Sequence, residues 1–504
     1  MKKTMLLTIA AVFFTSLLFA QTATIKFNIR NFPAGVCQLF YQSGTFAGEA
    51  KTTAVRLNET GHAVCSLELT KSRLASFSCY DSKSGKALNY MLFISPGDQL
   101  SFDADILSKE GQITVAGKGS NNNQPLPANL IHSNSQNYYG DTIPNRVIAN
   151  ILKEEALLKA SLEQYISQNN PSADFVKVQK SNLDYWAINA YYSFKENNRF
   201  QVQEAYKRNF DQWQSIQDSL LKAQPLDNPQ ALYAPTYTAF IASFLLRQKE
   251  NLWTQQGENK AAFYAEWYGG DEVKGAQEFE ADMSNALCEK IINKYFTGKT
   301  AEYLYVHLIT GAVAESNPKN LLNIYSNFEK KYNNSEYKAL LTPMVDQVRK
   351  RQQQKLNERM VFADSTATKF NTFADLLNLA KDKTVLVDMW GTWCSPCRQE
   401  IEAHSAAIKK HFKDKDLQYF YVANYDTRNT KSWKELIGYL NLEGTHVLAN
   451  QKLTDDIMTT IKASGYPTYF IIKKDGSFEL SKGGYPMNRD KLFKQLDEAM
   501  TANK

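Results

Sequence analysis

The chain has 504 residues, 43% of them hydrophobic and 22% charged, with a formal net charge of +6. This is ordinary globular usage: it excludes a disordered or fibrous protein and leaves room for about three domains of ~150 residues each. Lysine and arginine alternate with acids and form no basic stripe, which argues against nucleic acid as a partner.

The opening residues, MKKTMLLTIAAVFFTSLLFAQT, place two lysines before an apolar run that ends at small residues. That pattern predicts a signal peptide over residues 1–20, cut after Ala20. The run is short for a membrane anchor of ~20 residues, and no cysteine stands at the cut for lipid attachment. Lys2 and Lys3 would leave with the leader, taking the charge from +6 to +4. No later stretch is long and apolar enough to cross a bilayer, so the mature protein is expected in the periplasm.

Residues 24–119 hold short alternating runs such as TIKFNIRNF, HAVCSLEL and QITVAG, separated by Gly, Asn, Asp and Pro signals. They predict an all-β, sandwich-like domain. Cys65 and Cys79 share the apolar alternation of their runs and read as core-facing thiols; the export compartment permits a bridge among Cys37, Cys65 and Cys79 without fixing the pairing. The polar segment GKGSNNNQPLP, Gly117–Pro127, reads as a linker.

Across residues 128–357, apolar residues recur at three- and four-residue spacing, as in RVIANILKEEALLKASLEQYI and NLLNIYSNFEKKY, predicting an all-α middle domain. The aromatic run LDYWAINAYYSF reads as core packing in preference to a binding groove. Residues 362–504 then mix KTVLVDMW and LQYFYVANY, which are strand-like, with helix-like SPCRQEIEAHSAAIKKHF and NTKSWKELIGYL. A hairpin follows, built on Asp475-Gly476, and a last helix. This is an α/β domain with an antiparallel edge.

Within VLVDMWGTWCSPCRQE, Cys394 and Cys397 sit where a strand gives way to a helix. Unpaired N–H groups at a helix start stabilise a thiolate and lower its pKa from ~8.5 toward ~7 or below, so Cys394 is the natural nucleophile. Cys397, one turn deeper, is placed to resolve the mixed disulfide, and Pro396 fits the first turn. Zinc would need a second ligand pair; His404 and His411 follow Cys397 at seven-residue steps and lie too far apart along the helix to close one site. Haem attachment requires C-x-x-C-H, and position 398 is Arg. Asp388 stands inside an otherwise apolar strand, where a carboxylate must find partners or keep its proton, so a raised pKa is expected.

VLVDMW followed by WCSPC, and later GYPTYFIIKKDG, resemble the active-site strand and helix and the cis-proline strand of the thioredoxin superfamily. The resemblance is closest to the extracytoplasmic TlpA- or ResA-like thiol-disulfide oxidoreductases. It covers about the last third of the chain; the β-domain is similar to domains found ahead of such modules and implies no chemistry. The resemblance implies a cis Pro467 beside the cysteine pair, with Trp393, Tyr466 and Pro467 contacting the substrate chain. It makes Asp388 the buried acid that accepts the Cys397 proton, and Glu400 a second candidate acceptor in a C-x-x-C-x-x-E pattern, where EIEAH lacks the Pro that often follows. It further implies no cofactor beyond the Cys394–Cys397 disulfide, exported disulfide-bearing proteins as substrates, and a membrane protein as electron donor. The alternatives are a peptide-binding scaffold and a thiol oxidant.

Overall fold

The computed structural model describes residues 20–32, 36–42, 50–81, 85–107, 113–126, 130 and 135–501. The expected signal peptide lies outside them except for Ala20. The chain divides into two compact units, residues 1–248 with 295–303 and residues 249–294 with 304–504. The helical stretch is thereby divided between the two. Among the described residues no helix is long and apolar enough to cross a membrane.

The first unit opens with eight strands: β1 (Gln21–Arg30), β2 (Val36–Gln42), β3 (Ala50–Arg56), β4 (His62–Leu69), β5 (Arg73–Asp81), β6 (Lys86–Ile94), β7 (Gln99–Asp105) and β8 (Thr114–Lys118). They form two four-stranded sheets, in orders β4-β1-β7-β8 and β3-β2-β5-β6. Period-two alternation along β1 and β5 sends one set of side chains inward, where Phe27, Phe77 and Phe102 meet with centroids 4.3–5.6 Å apart. Offset and edge-on contacts at that spacing stabilise a core beyond simple area burial.

Cys37 and Cys79 are joined by a disulfide, because the β2–β5 register that pairs Gln38 with Ser78 sets them directly opposite each other, with Cα atoms 4.4 Å apart. Cys79 thus faces the core as half of a bridge, whereas Cys65 is the buried free thiol that its alternation suggested. The segment read as a linker is ordered through Gln124. Gly117 and Lys118 still belong to β8, and the buried Asn123 carboxamide accepts from Phe93 N at 2.7 Å and donates to Phe93 O at 2.8 Å. Its polarity serves a strand end and not solvent.

Helices α1 (Pro144–Asn169), α2 (Ala173–Asp184), α3 (Trp186–Arg208), α4 (Phe210–Ala223) and the first part of α5 (Pro235–Glu258) complete this unit. The aromatic run on α3 is core, as expected: Trp186, Tyr191 and Phe194 are buried, and Tyr191 donates to Trp213 O at 2.8 Å.

The second unit contains α6 (Lys260–Tyr268), α7 (Glu272–Ala281), most of α8 (Asn285–Tyr295) and α9 (Gly298–Ala314), then α10 (Leu321–Lys331) and α11 (Lys338–Gln352). Its α/β part carries β9 (Met360–Asp364), α12 (Phe373–Leu379), β10 (Thr384–Trp390), α13 (Ser395–His411), β11 (Leu417–Ala423), α14 (Thr430–Tyr439), β12 (Gly444–Leu448), α15 (Gln451–Thr460), β13 (Thr468–Ile472), β14 (Phe478–Leu480) and α16 (Arg489–Thr501). The sheet order is β14-β13-β10-β11-β12-β9; β9 to β12, β12 to β11 and β11 to β10 are parallel, while β13 and β14 are antiparallel. Gly476, at φ 82°, supplies the left-handed residue of the β13–β14 hairpin.

All seven residues of β10 are buried, the signature of a strand covered on both faces. Val385, Val387 and Met389 enter one core with Leu376 and Leu453; Leu386 enters the other with Ile408 and Leu496. Asp388 points to the second face, toward α13.

For the Cys37–Cys79 bridge, 42 residues apart, the chain-entropy estimate is about 4 kcal/mol. The double alanine variant should lose stability on that order in a urea titration followed by a β-domain probe, while retaining the Cys394/Cys397 thiol titration.

Candidate active site

The turn between β10 and α13 is clamped from several sides. Asn424 Nδ2 donates to Trp390 O at 2.9 Å. Thr392 donates to Asp426 through N (2.8 Å) and Oγ1 (2.5 Å). The buried Arg398 donates through Nη1 to Thr392 O at 2.5 Å and through Nε to Glu315 O at 3.0 Å. Trp393 donates its indole N–H to Asn424 O at 2.9 Å and leaves half of its surface exposed. A Cβ at Gly391 would lie 2.3 Å from that indole nitrogen, so only glycine permits the ring to lie flat on the turn.

This turn places Cys394 at the N-cap of α13, where Sγ accepts from Cys397 N at 3.2 Å; Pro396 occupies the first turn. Cys394 and Cys397 are disulfide-bonded, and Cys394 is 3% exposed against 0% for Cys397.

The Tyr466–Pro467 peptide is cis. The β10–β13 register pairs Met389 with Thr468, which sets Pro467 at the end of β10 where the cysteine turn begins. Tyr466 packs edge-on against Trp393 at 5.4 Å, and Tyr425 does so at 5.8 Å. Trp393, Tyr466 and Pro467 therefore share one rim. In the same unit, a groove of about 1060 Å³ is lined by Thr392 and Arg398 together with Asn317, Lys319 and Asn323.

In β10, the strand that leads into the cysteine turn, Asp388 is 6% exposed, and its Oδ1 has no hydrogen-bond partner in the protein. Burial, reinforced by Glu400, pushes its carboxyl well above the usual carboxylate range, as the apolar strand predicted. Glu400 is also buried: Oε2 accepts from Met487 N at 3.1 Å and lies 3.7 Å from His404 Nε2. The segment following β14 covers Glu400 and keeps it from solvent.

Cys394, Cys397, Trp393, Tyr466 and Pro467 lie around one turn, which Arg398, Asn424 and Asp426 clamp. Nothing in the sequence marked these three, since their partners lie 6, 34 and 34 residues away. Among the described residues no group of three or more His, Cys, Asp or Glu could hold a metal ion.

A parallel sheet core with an antiparallel edge, a cis-proline and an N-cap dithiol defines the thiol-disulfide oxidoreductase class of the thioredoxin superfamily. Residues 361–496 match the Redoxin family model, so the C-terminal part of the chain is a Redoxin domain. The chain is 32% identical over 120 residues to the thioredoxin-like protein YneN of Bacillus subtilis (strain 168), covering 23% of this chain and 66% of that protein. Among solved structures it is similar to the thioredoxin domain of a thiol-disulfide oxidoreductase from Bacteroides vulgatus (25% identity, 25% of this chain and 84% of that one, TM-score 0.22). It is also similar to a thiol:disulfide interchange protein from Bacteroides sp. (25% identity, 25% and 80% coverage, TM-score 0.22).

Asp388→Asn should stabilise the protein at neutral pH. Below the ordinary carboxylate range both states of the chain are protonated at this position and the difference vanishes. As pH rises through that range only the unfolded chain ionises, so the advantage of Asn grows until the folded group titrates and then levels off. Urea titrations of both proteins at a series of pH values check the sign.

Proposed function

We propose that this chain is an exported thiol-disulfide oxidoreductase that reduces disulfides of exported proteins. The observation that carries the reading is the outer Cys394 at a helix N-cap, bonded to a wholly buried Cys397, with the buried Asp388 in the strand that leads into their turn. In the dithiol state, Cys394 thiolate attacks a substrate disulfide, forming a mixed disulfide and releasing one substrate thiolate. Cys397 then gives up its proton, attacks Cys394 Sγ and expels the second substrate thiolate. Two electrons pass to the substrate, and the Cys394–Cys397 bond re-forms.

The leader-like residues 1–20 and the Cys37–Cys79 bridge support an oxidising compartment outside the cytoplasm, the periplasm. Such a compartment cannot regenerate a dithiol, so a membrane protein passing electrons outward is the partner this reading requires. The rim of Trp393, Tyr466 and cis Pro467 offers an extended substrate backbone a strand-like edge.

The reduction potential of the Cys394/Cys397 couple tests the direction of electron flow. A value near the ~−270 mV of thioredoxin is expected; one near the ~−120 mV of a strong oxidant reverses the flow, and no reversible two-electron transition leaves only a binding role. Cys397→Ser should accumulate mixed disulfides on non-reducing gels.

A further inference from the structure

Between β10, α13, β11 and β13 lies a small cavity of about 30 Å³. Three polar atoms from residues that line it, Asp388 Oδ1, His404 Nδ1 and Tyr419 Oη, are buried without a hydrogen-bond partner in the protein. Three such groups around one apolar void would each carry an uncompensated desolvation cost, whereas buried polar groups are as a rule satisfied by protein or by water. The volume suits about two waters, and three lining groups supply the partners that buried waters need. His404 is placed to complete the path: its Nε2 stands 3.7 Å from Glu400, and the side chain retains 16% exposure, more than the 9% of Glu400.

We infer that His404 is a positioning residue for proton transfer: waters in this cavity connect Asp388 to His404, which together with Glu400 passes the proton of the resolving step between the buried strand and solvent. The inference rests on the proposed dithiol chemistry. In the step concerned, Asp388 passes its own proton through the waters to the His404 imidazole and takes up the proton of Cys397 S–H, and the Cys397 thiolate forms the bond to Cys394 Sγ as the bond from Cys394 to substrate breaks, the substrate sulfur leaving as thiolate. The imidazole hands its proton on to solvent, and Asp388 ends the step as it began. Other ionisable groups face this path: Tyr421 and Tyr469 flank Asp388 on the neighbouring strands, and Lys409 lies over the Tyr419 and Tyr421 rings at 5.6 and 5.5 Å. Burial lowers Lys409 to about 8 and raises Tyr419 to about 12, so these groups must be held in view when a pH profile is read.

The test uses the reduced full-length protein and an aromatic disulfide such as dithiobis(nitrobenzoate) in a stopped-flow instrument. The first release of chromophore reports attack by Cys394 and the second reports resolution by Cys397. In wild type, the second phase should carry a solvent deuterium isotope effect. In His404→Phe and His404→Gln it should slow roughly tenfold, on the low side of acid–base contributions, with a shifted pH profile and partial rescue by added imidazole. The first phase and the reduction potential should stay unchanged. A second phase equal to wild type in rate, isotope effect and pH profile overturns the relay, as does a crystal structure of the reduced protein with no ordered water between Asp388 and His404. The crystal structure needs no variant and decides the matter if both substitutions impair folding. Absence of any second release in wild type overturns the dithiol chemistry itself, which separates the two failures.

Discussion

A carboxyl group 6% exposed, its Oδ1 without a hydrogen-bond partner and a second buried acid beside it, is costly to ionise within the fold. This constraint organises the redox half of the molecule. It requires β10 to be covered on both faces, which the two cores supply through Val385 and Val387 on one side and Leu386 on the other. The registers set Tyr421 and Tyr469 opposite Asp388 on the two neighbouring strands. The stability sacrificed by burying an acid is recovered as chemistry, since the group is ready to exchange a proton where a thiol must lose one.

The cysteine turn depends on the same strand in another way. β10 delivers Trp390 to the top of the sheet, Asn424 caps its carbonyl, and Arg398 and Asp426 hold the next residues from opposite sides. Cys394 thereby reaches the N-cap with little freedom left. A nucleophile presented this way loses less entropy on reaching the attack geometry than one on a loose loop.

How much of this could be read from the residues alone varied with the range of the interaction. The Cys394/Cys397 pair, Asp388 and the proline of GYPTYF lie in short contiguous patterns whose chemistry is local, and each stands where expected. The Cys37–Cys79 pairing was illegible because it follows from the β2–β5 register, a property of two segments and not of either. Asn123 misled for a related reason. Carboxamides in a polar run signal solvent, but this one substitutes for a missing strand partner at Phe93. Glu400 could not be settled from its own helix, because what buries it arrives 87 residues later with Met487.

The two disulfides differ in one respect that matters for a chain carrying both. Thiol–disulfide exchange needs a thiolate to approach one sulfur along the S–S axis. Cys37 and Cys79 are 0% and 2% exposed and lie inside a core of phenylalanines and leucines, so no such line of approach is open to another molecule of the same protein. The β-domain is in this sense immune to the chemistry proposed for its own chain. Copies of the protein in the dithiol state would leave one another's β-domains intact, and what separates the two bonds is their surroundings, a packed core for one and a turn at the head of a helix for the other, more than a few per cent of exposed surface.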